Sequence, residues 1–264
     1  MQPFQMGEIP MEIIEYVRNV HSVRFPRQGY TSNVGIIESD QGIYVLKRTM
    51  GKQFCSWLNK EISVINCLTN ETNLPIPKVK MFVEQKQLDQ CWALMECIEG
   101  ETLRTAISNL ENRNKRREMI FNYGKTLFNI HTIPCPEELK TVRPWSDNML
   151  LLAAYNLNHY KVEGDIALLE KIKTSKPRIG KNTLIHGDYT IDNVLVSDGI
   201  ITGIIDWSGG AYGDPRYDVS IAIRPKPNLF QDEIDRQIFF EGYGEKIINY
   251  KEYDYFVNGL NEFF

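Results

Sequence analysis

Residues 183–208, TLIHGDYTIDNVLVSDGIITGIIDWS, constrain the fold of this chain more than any other stretch. Two apolar runs, 193–196 and 200–205, flank Asp198-Gly199, a dipeptide suited to the tight turn of a β-hairpin. Such a hairpin sets its two open ends side by side. Asn193 and Asp206 are therefore expected as neighbours, with Asp188 on the loop that feeds the first strand. Two carboxylates and an amide oxygen at one hairpin mouth form a set of hard oxygen ligands, which suits Mg²⁺ and a triphosphate. The competing reading is a hairpin with acidic ends and no chemistry. The fixed spacing from Asp188 to Asn193, followed by Asp206 after the second strand, argues against it.

The same residues carry a family resemblance. His186-Gly187-Asp188, then Asn193, then Ile205-Asp206-Trp207 resembles the catalytic core of the aminoglycoside phosphotransferase family, which shares the protein kinase fold. Protein kinases show a His-Arg-Asp loop, an Asn five residues after its Asp, and a later Asp-Phe-Gly. The resemblance implies that Asp188 is the catalytic base, that Asn193 and Asp206 are Mg²⁺ ligands, and that ATP, or alternatively GTP, is the phosphoryl donor. It also implies an α+β, bilobal protein kinase-like fold. A β-rich N-terminal lobe, residues 1–96, would bind nucleotide, and a mostly helical lobe, residues 97–264, would carry catalysis and acceptor binding.

Taken in order, the chain is expected to open with a helix over 11–20 and strands over 21–26, 34–38 and 43–48. The loop 27–33, RQGYTSN, contains Gly29 and Ser32, whose exposed backbone could approach phosphate oxygens, although on local evidence an ordinary hairpin connection is the better reading. Lys47 lies in the third strand, and Glu61 follows within 54–68, where Trp57, Leu58, Ile62, Ile65 and Leu68 recur with helical spacing. A strand lysine followed by a helix glutamate at this interval resembles the kinase ion pair that holds the ATP phosphates. Strands are expected over 78–83 and 91–98. The resemblance makes the end of the latter a hinge, with Met95, Glu96, Cys97 and Ile98 as candidates for contact with the nucleotide base.

Beyond residue 101 the pattern becomes helical, with helices expected over 102–110, 114–133, 146–160 and 164–174. His131, at the end of the second of these, reads as packing or capping rather than metal binding. Asp214 should cap a helix begun by Pro215. The resemblance to kinase-like folds implies that Asp218 in that helix braces the catalytic loop through its backbone N–H groups. Residues 231–264 read as helical, broken at 242–244.

Composition narrows the partners. Hydrophobic residues are 42% and charged residues 24%, close to globular averages, and a net charge of −4 argues against a general nucleic-acid binder. No apolar run approaches the length that spans a bilayer, and the first residues lack the pattern of a secretory signal. Five cysteines, odd in number and without a CxxC pair, suggest free thiols in a reducing cytoplasm. The expected reaction is transfer of the γ-phosphoryl group to a hydroxyl of a small molecule. The acceptor is expected to be an aminoglycoside or similar amine-bearing antibiotic; a macrolide, or a metabolite such as homoserine or choline, is the alternative. A nucleotide-binding pseudokinase is a further alternative, opposed by Lys47, Asp188, Asn193 and Asp206 standing together. Residues 231–264 hold eight acidic and three basic side chains, and the final Asn261-Glu262-Phe263-Phe264 resembles the ending of aminoglycoside 3′-phosphotransferases. Glu262 and Phe264 are therefore expected to meet a cationic acceptor. Trp207-Ser208-Gly209 departs from that branch, which usually has an Arg shortly after the metal-binding Asp.

Overall fold

In a computed structural model that describes residues 3–264 except 27, 30 and 179, the chain divides into two units. One is Met1–Glu99 with Gly203–Ser208, and the other is Gly100–Thr202 with Gly209–Phe264.

The first unit is built on alternation. It contains α1 (Met11–Val17), β1 (Val20–Arg24), β2 (Asn33–Ser39), β3 (Gly42–Met50), α2 (Lys52–Glu71), β4 (Val79–Gln85) and β5 (Gln90–Glu96). The strands form one sheet in the order β1-β2-β3-β5-β4, antiparallel throughout. Successive side chains of a strand point to opposite faces. Tyr44 and Leu46 of β3 join Ile37, Trp92 and Leu94 in a core that also takes Phe4, Ile13 and Val17. Lys47, next along the strand after Leu46, consequently points to the opposite face, toward α2, whose Leu58, Ile62, Ile65 and Leu68 are buried. The helix expected over 11–20 stops at Val17, because Arg18 takes φ +61° and Val20 is already paired with Ser39. The strand expected over 91–98 ends at Glu96. Arg27 and Tyr30, part of the expected loop 27–33, lie outside the described residues. Across that loop, the Gln28 side-chain amide donates to the carbonyls of Pro26 and Val34 and accepts the Val34 N–H at 2.8 Å.

The second unit is mostly helical. Its elements are β6 (Glu101–Thr102), α3 (Leu103–Ser108), α4 (Arg113–Thr132), α5 (Trp145–His159), α6 (Ile166–Thr174), β7 (Thr183–Ile185), β8 (Val194–Ser197), the start of β9 (Ile200–Ile204), β10 (Ala211–Gly213), α7 (Pro215–Ala222), α8 (Glu233–Tyr243) and α9 (Tyr250–Val257). The turn between β8 and β9 forms as its residues demand, with φ +50° at Asp198 and +82° at Gly199. Six of these helices start at a side chain that accepts a first-turn N–H: Thr102, Asn112, Asp165, Asp214, Asp232 and Asn249. Each satisfies a backbone donor that the helix itself cannot reach. The break expected at 242–244 narrows to Gly244, a left-handed cap, while Gly242 is helical.

Gly242 has a packing duty. A Cβ there would lie 1.9 Å from the Phe121 carbonyl oxygen, and one at Gly124 would lie 2.1 Å from that of Phe239. Helices α4 and α8 thus meet backbone to backbone through two glycines. Helix propensity alone says that Gly124→Ala gains about 1 kcal/mol. The contact says that it loses roughly 2 kcal/mol or more, because neither backbone can yield. Urea unfolding of Gly124→Ala, beside Gly7→Ala where a Cβ meets nothing within 4 Å, decides between the two. Equal or greater stability in the Gly124 variant would contradict the packing account.

Candidate active site

The loop between β7 and β8 is held at nearly every residue. Asp218 of α7 is fully buried, and its carboxylate accepts the N–H of His186 at 2.6 Å and of Gly187 at 2.7 Å. His131 brings Nε2 to 3.3 Å from the same carboxylate, and its Nδ1 lies 2.8 Å from the Tyr243 hydroxyl. A Tyr243 O–H donating to Nδ1 and an Nε2–H donating to Asp218 satisfies all three buried groups. His131 therefore packs, as expected, but as part of the brace behind the loop. Gly187 has φ +82°, and a Cβ on it would lie 2.3 Å from the carbonyl oxygen of Gly209. The position where protein kinases carry Arg must be glycine here, for lack of space and for backbone conformation. The Asp188 N–H donates to His186 Nδ1 at 3.1 Å. Tyr189 stacks on Tyr123 of α4 with centroids 4.7 Å apart, and each hydroxyl donates to the other residue's carbonyl. The Arg104 N–H meets Ile191 O at 3.0 Å, and the Arg104 guanidinium forks onto Asp192.

Asp188 stays exposed on this fixed loop. Asn193 is buried, and its Nδ2 donates to the Asp188 carbonyl at 2.9 Å and to Oδ2 of its carboxylate at 2.8 Å. With both amide protons committed to Asp188, the Asn193 oxygen is turned the other way.

In the first unit, Lys47 Nζ lies 2.7 Å from Glu61 Oε2 and 2.5 Å from Asp206 Oδ1. Lys47 and Glu61 are buried, whereas the Asp206 side chain is 44% exposed and can present an oxygen to a ligand. Burial works against the Lys47 ammonium, but Asp206 and Glu61 outweigh it and hold its pKa above the ordinary lysine value. Burial pushes the Glu61 carboxyl up against the pull of Lys47. Asp206 has φ +64°, a left-handed conformation that costs a non-glycine residue about 1–2 kcal/mol. Trp207 beside it is fully buried and donates its indole N–H to Ile204 O at 3.0 Å.

The sequence model of the phosphotransferase enzyme family matches residues 22–256. The chain belongs to this family. It is 26% identical over 216 residues to an aminoglycoside 3′-phosphotransferase of Niallia circulans, an alignment covering 78% of this chain and 79% of that one. It is 27% identical over 147 residues to a homoserine kinase of Neisseria meningitidis serogroup B, covering 53% and 48%. Among solved structures, a GDP complex of aminoglycoside 2′-phosphotransferase-IIIa superposes with TM-score 0.70 at 18% identity, covering 96% of this chain and 88% of that one. A spectinomycin phosphotransferase with ADP and spectinomycin superposes at 0.63 with 20% identity, covering 97% and 84%. The fold is the kinase-like fold of these enzymes, and the chain is a small-molecule O-phosphotransferase.

The remaining expected residues of this phosphotransferase fall as follows. Gly29 is exposed, and Ser32 is buried. The Glu96 N–H donates to Lys78 O at 2.9 Å, and its carboxylate pairs with Lys80 at 2.6 Å. Ile98 is half-buried. Phe264 is exposed, while the Glu262 carboxylate lies 3.8 Å from Arg224. Part of the acidity of 231–264 is met by arginines outside that segment: Asp235 pairs with Arg116, Glu241 with Arg117 and Glu252 with Arg216. Among the described residues no group of three or more His, Cys, Asp or Glu side chains gathers for a metal. The Asn193 amide oxygen in the second unit and the part-exposed Asp206 carboxylate in the first are each hard oxygen donors of the kind that Mg²⁺ takes. Tyr123, Tyr189 and His131 hold the loop between β7 and β8, and Gln28 ties the loop 27–33, without appearing in any motif.

The buried charges make a pH-resolved prediction. Lys47→Met leaves Glu61 buried without its cation and should cost about 3–5 kcal/mol near neutrality. A carboxyl raised in the folded state above its ordinary 4.5 loses stability as pH rises past that value. The deficit should therefore be small near pH 4 and grow toward about pH 8, and Glu61→Gln in the same background should recover much of it. Urea unfolding across that range checks this; a pH-independent deficit would contradict it.

Proposed function

We propose that this phosphotransferase moves the γ-phosphoryl group of ATP to a hydroxyl of a small molecule, with Asp188 as the catalytic base. The observation that carries the reading is Asp188 itself: an exposed carboxylate on a loop tied down by Asp218, Tyr123 and Arg104, with one oxygen held by Asn193. A fixed carboxylate can accept the proton of an acceptor hydroxyl as its oxygen attacks phosphorus, at little further cost in ordering. Lys47, kept charged by Glu61 and Asp206, offsets phosphate charge in the first unit, which we assign to the nucleotide. The Glu96 carbonyl and the backbone near Ile98 are proposed to meet the base, and the backbone at Gly29 the phosphates. Mg²⁺, held by Asn193 and Asp206, would neutralise charge on the transferring group. The second unit is assigned to catalysis and the acceptor. The kinases it resembles use the same economy: few residues, mostly positioning and electrostatics. A cytoplasmic setting is proposed, where ATP is at hand and free thiols, as all five are in the structure, are the ordinary state.

For the acceptor, an aminoglycoside is the first reading, supported by the likeness to the 3′-phosphotransferase. Glu262, and Phe264 beside it, would then border the amino-sugar. A specific observation favours a second reading. Burial pushes the Lys226 ammonium down, and the positive charges of Arg104 and Arg224 push it further, with Asp192 and Asp188 pulling the other way. With Arg104 paired to Asp192 and Arg224 near Glu262, a carboxylate-bearing acceptor such as homoserine would relieve the disfavoured Lys226 charge.

Asp188→Asn should lower kcat about 10²–10⁴-fold while leaving the Kd for ATP nearly unchanged. Asp206→Ala should instead weaken ATP binding in a Mg²⁺-dependent way, read by calorimetry with and without the metal. ATP consumption over a panel of aminoglycosides, macrolides, homoserine and choline identifies the acceptor. Turnover near wild type in Asp188→Asn, on any accepted substrate, would overturn the assignment.

A further inference from the structure

A second feature of the first unit belongs to none of this chemistry. A cavity of about 440 Å³ lies between the first turns of α2 and the end of the β3–β5 pair, and two thiols line it, Cys55 and Cys91. Their closeness follows from the sheet register. Thr49 and Cys91 are direct cross-strand partners, so their side chains share the face that meets α2. The Thr49 hydroxyl donates to Cys55 Sγ at 3.6 Å, which seats Cys55 over this pair. The Cys55 thiol lies 3.4 Å from the carbonyl oxygen of Asp89, two residues before Cys91. Backbone ties fix the arrangement: the Gly51 N–H donates to Asp89 O at 2.7 Å, and the Cys55 N–H donates to Gly51 O at 3.0 Å.

The two sulfurs differ in access. Cys55 is half-buried at the cavity wall, whereas Cys91 is 1% exposed. Burial, together with the neighbouring Cys55, pushes the Cys91 thiol up to about 12. An outside reagent therefore meets Cys55 first, and Cys91 reacts only with a sulfur already delivered beside it. Lys52 and Lys86 line the same cavity beside Asp89 and Glu84, the last 3.8 Å from Lys86, so both signs of charge are on hand for the ammonium and carboxylate groups of a small peptide.

We propose that this cavity is a thiolation site for a low-molecular-weight, carboxylate-bearing disulfide, with Cys55 as the attacking thiol and Cys91 as the resolving one. The Cys55 thiolate attacks one sulfur of the disulfide; a Cys55 mixed disulfide forms, and one small thiolate leaves. The Cys91 thiolate then attacks Sγ of Cys55, which forms the Cys55–Cys91 bond and expels the second small thiolate. Two electrons pass from the protein thiols to the incoming disulfide, and the two thiol protons end on the released thiols. The product ties the first turns of α2, the helix that carries Glu61, to β5.

The test incubates the intact protein with oxidised glutathione and follows mass and peptide maps. Wild type should lose two hydrogen atoms and yield a Cys55–Cys91 cross-linked peptide. Cys91→Ser, or Cys91→Ala if the serine does not fold, should instead accumulate one glutathione adduct on Cys55. Cys55→Ser should gain neither product while Cys91 stays a thiol. Added salt should slow the first step several-fold if the lysines guide the carboxylates. An adduct confined to Cys97 or Cys135, or a Cys91 variant that collects no adduct on Cys55, would overturn the proposal. Peptide mapping of wild type alone suffices if both Cys91 variants are unstable, since absence of the cross-link contradicts it.

Discussion

The buried carboxylate of Asp218 is the contact on which the rest of the second unit's chemistry depends. Its two short bonds to the His186 and Gly187 N–H groups are charge-assisted, the strong class of hydrogen bond. Removing the acceptor would leave two buried donors unmet, each worth about 1–3 kcal/mol. The charge itself is tolerable because His131, held in turn by the Tyr243 hydroxyl, supplies a further partner. From this point outward each residue of the loop is placed in turn. Gly187 fits under Gly209, Tyr189 locks onto Tyr123, Arg104 holds Ile191 and Asp192, and Asn193 reaches back to Asp188. A base that must meet a hydroxyl in one geometry gains from such restraint.

The first unit solves a different problem, that of keeping a lysine charged where water is scarce. Lys47 sits in a central strand, opposite Val34 and Ala93, and only the two carboxylates make its burial acceptable. One of them is on a helix and the other on a left-handed residue. Strain of this kind persists only when its surroundings insist on it, and Trp207, anchored in the core beside Asp206, supplies that insistence.

Much of this was legible in the residues. Asp198-Gly199 announced the hairpin, the apolar spacing of 54–68 announced α2 and with it Glu61, and Asp214-Pro215 announced the start of α7. What stayed hidden is what depends on distant partners. Strands β7 and β10 have three residues each and pair Thr183 with Gly213, too short and too far apart to leave a period. The Tyr123–Tyr189 clamp and the meeting of Gly124 with Phe239 join segments dozens of residues apart. The acidic surplus of 231–264, conspicuous in a linear count, is met in part by Arg116 and Arg117 of α4 and by Arg216 and Arg224, which no count along the segment could show.

The central claim is that a rigid loop, imposed by Asp218, is what makes Asp188 effective. Amide hydrogen exchange at His186 and Gly187, read alongside kcat in wild type and Asp218→Ala, tests it most directly. In wild type both amides should exchange only with global unfolding. In the variant they should exchange through local opening, and kcat should fall about 10²-fold or more while the Kd for ATP changes little. A variant whose loop amides exchange freely yet whose kcat stays near wild type would contradict the account.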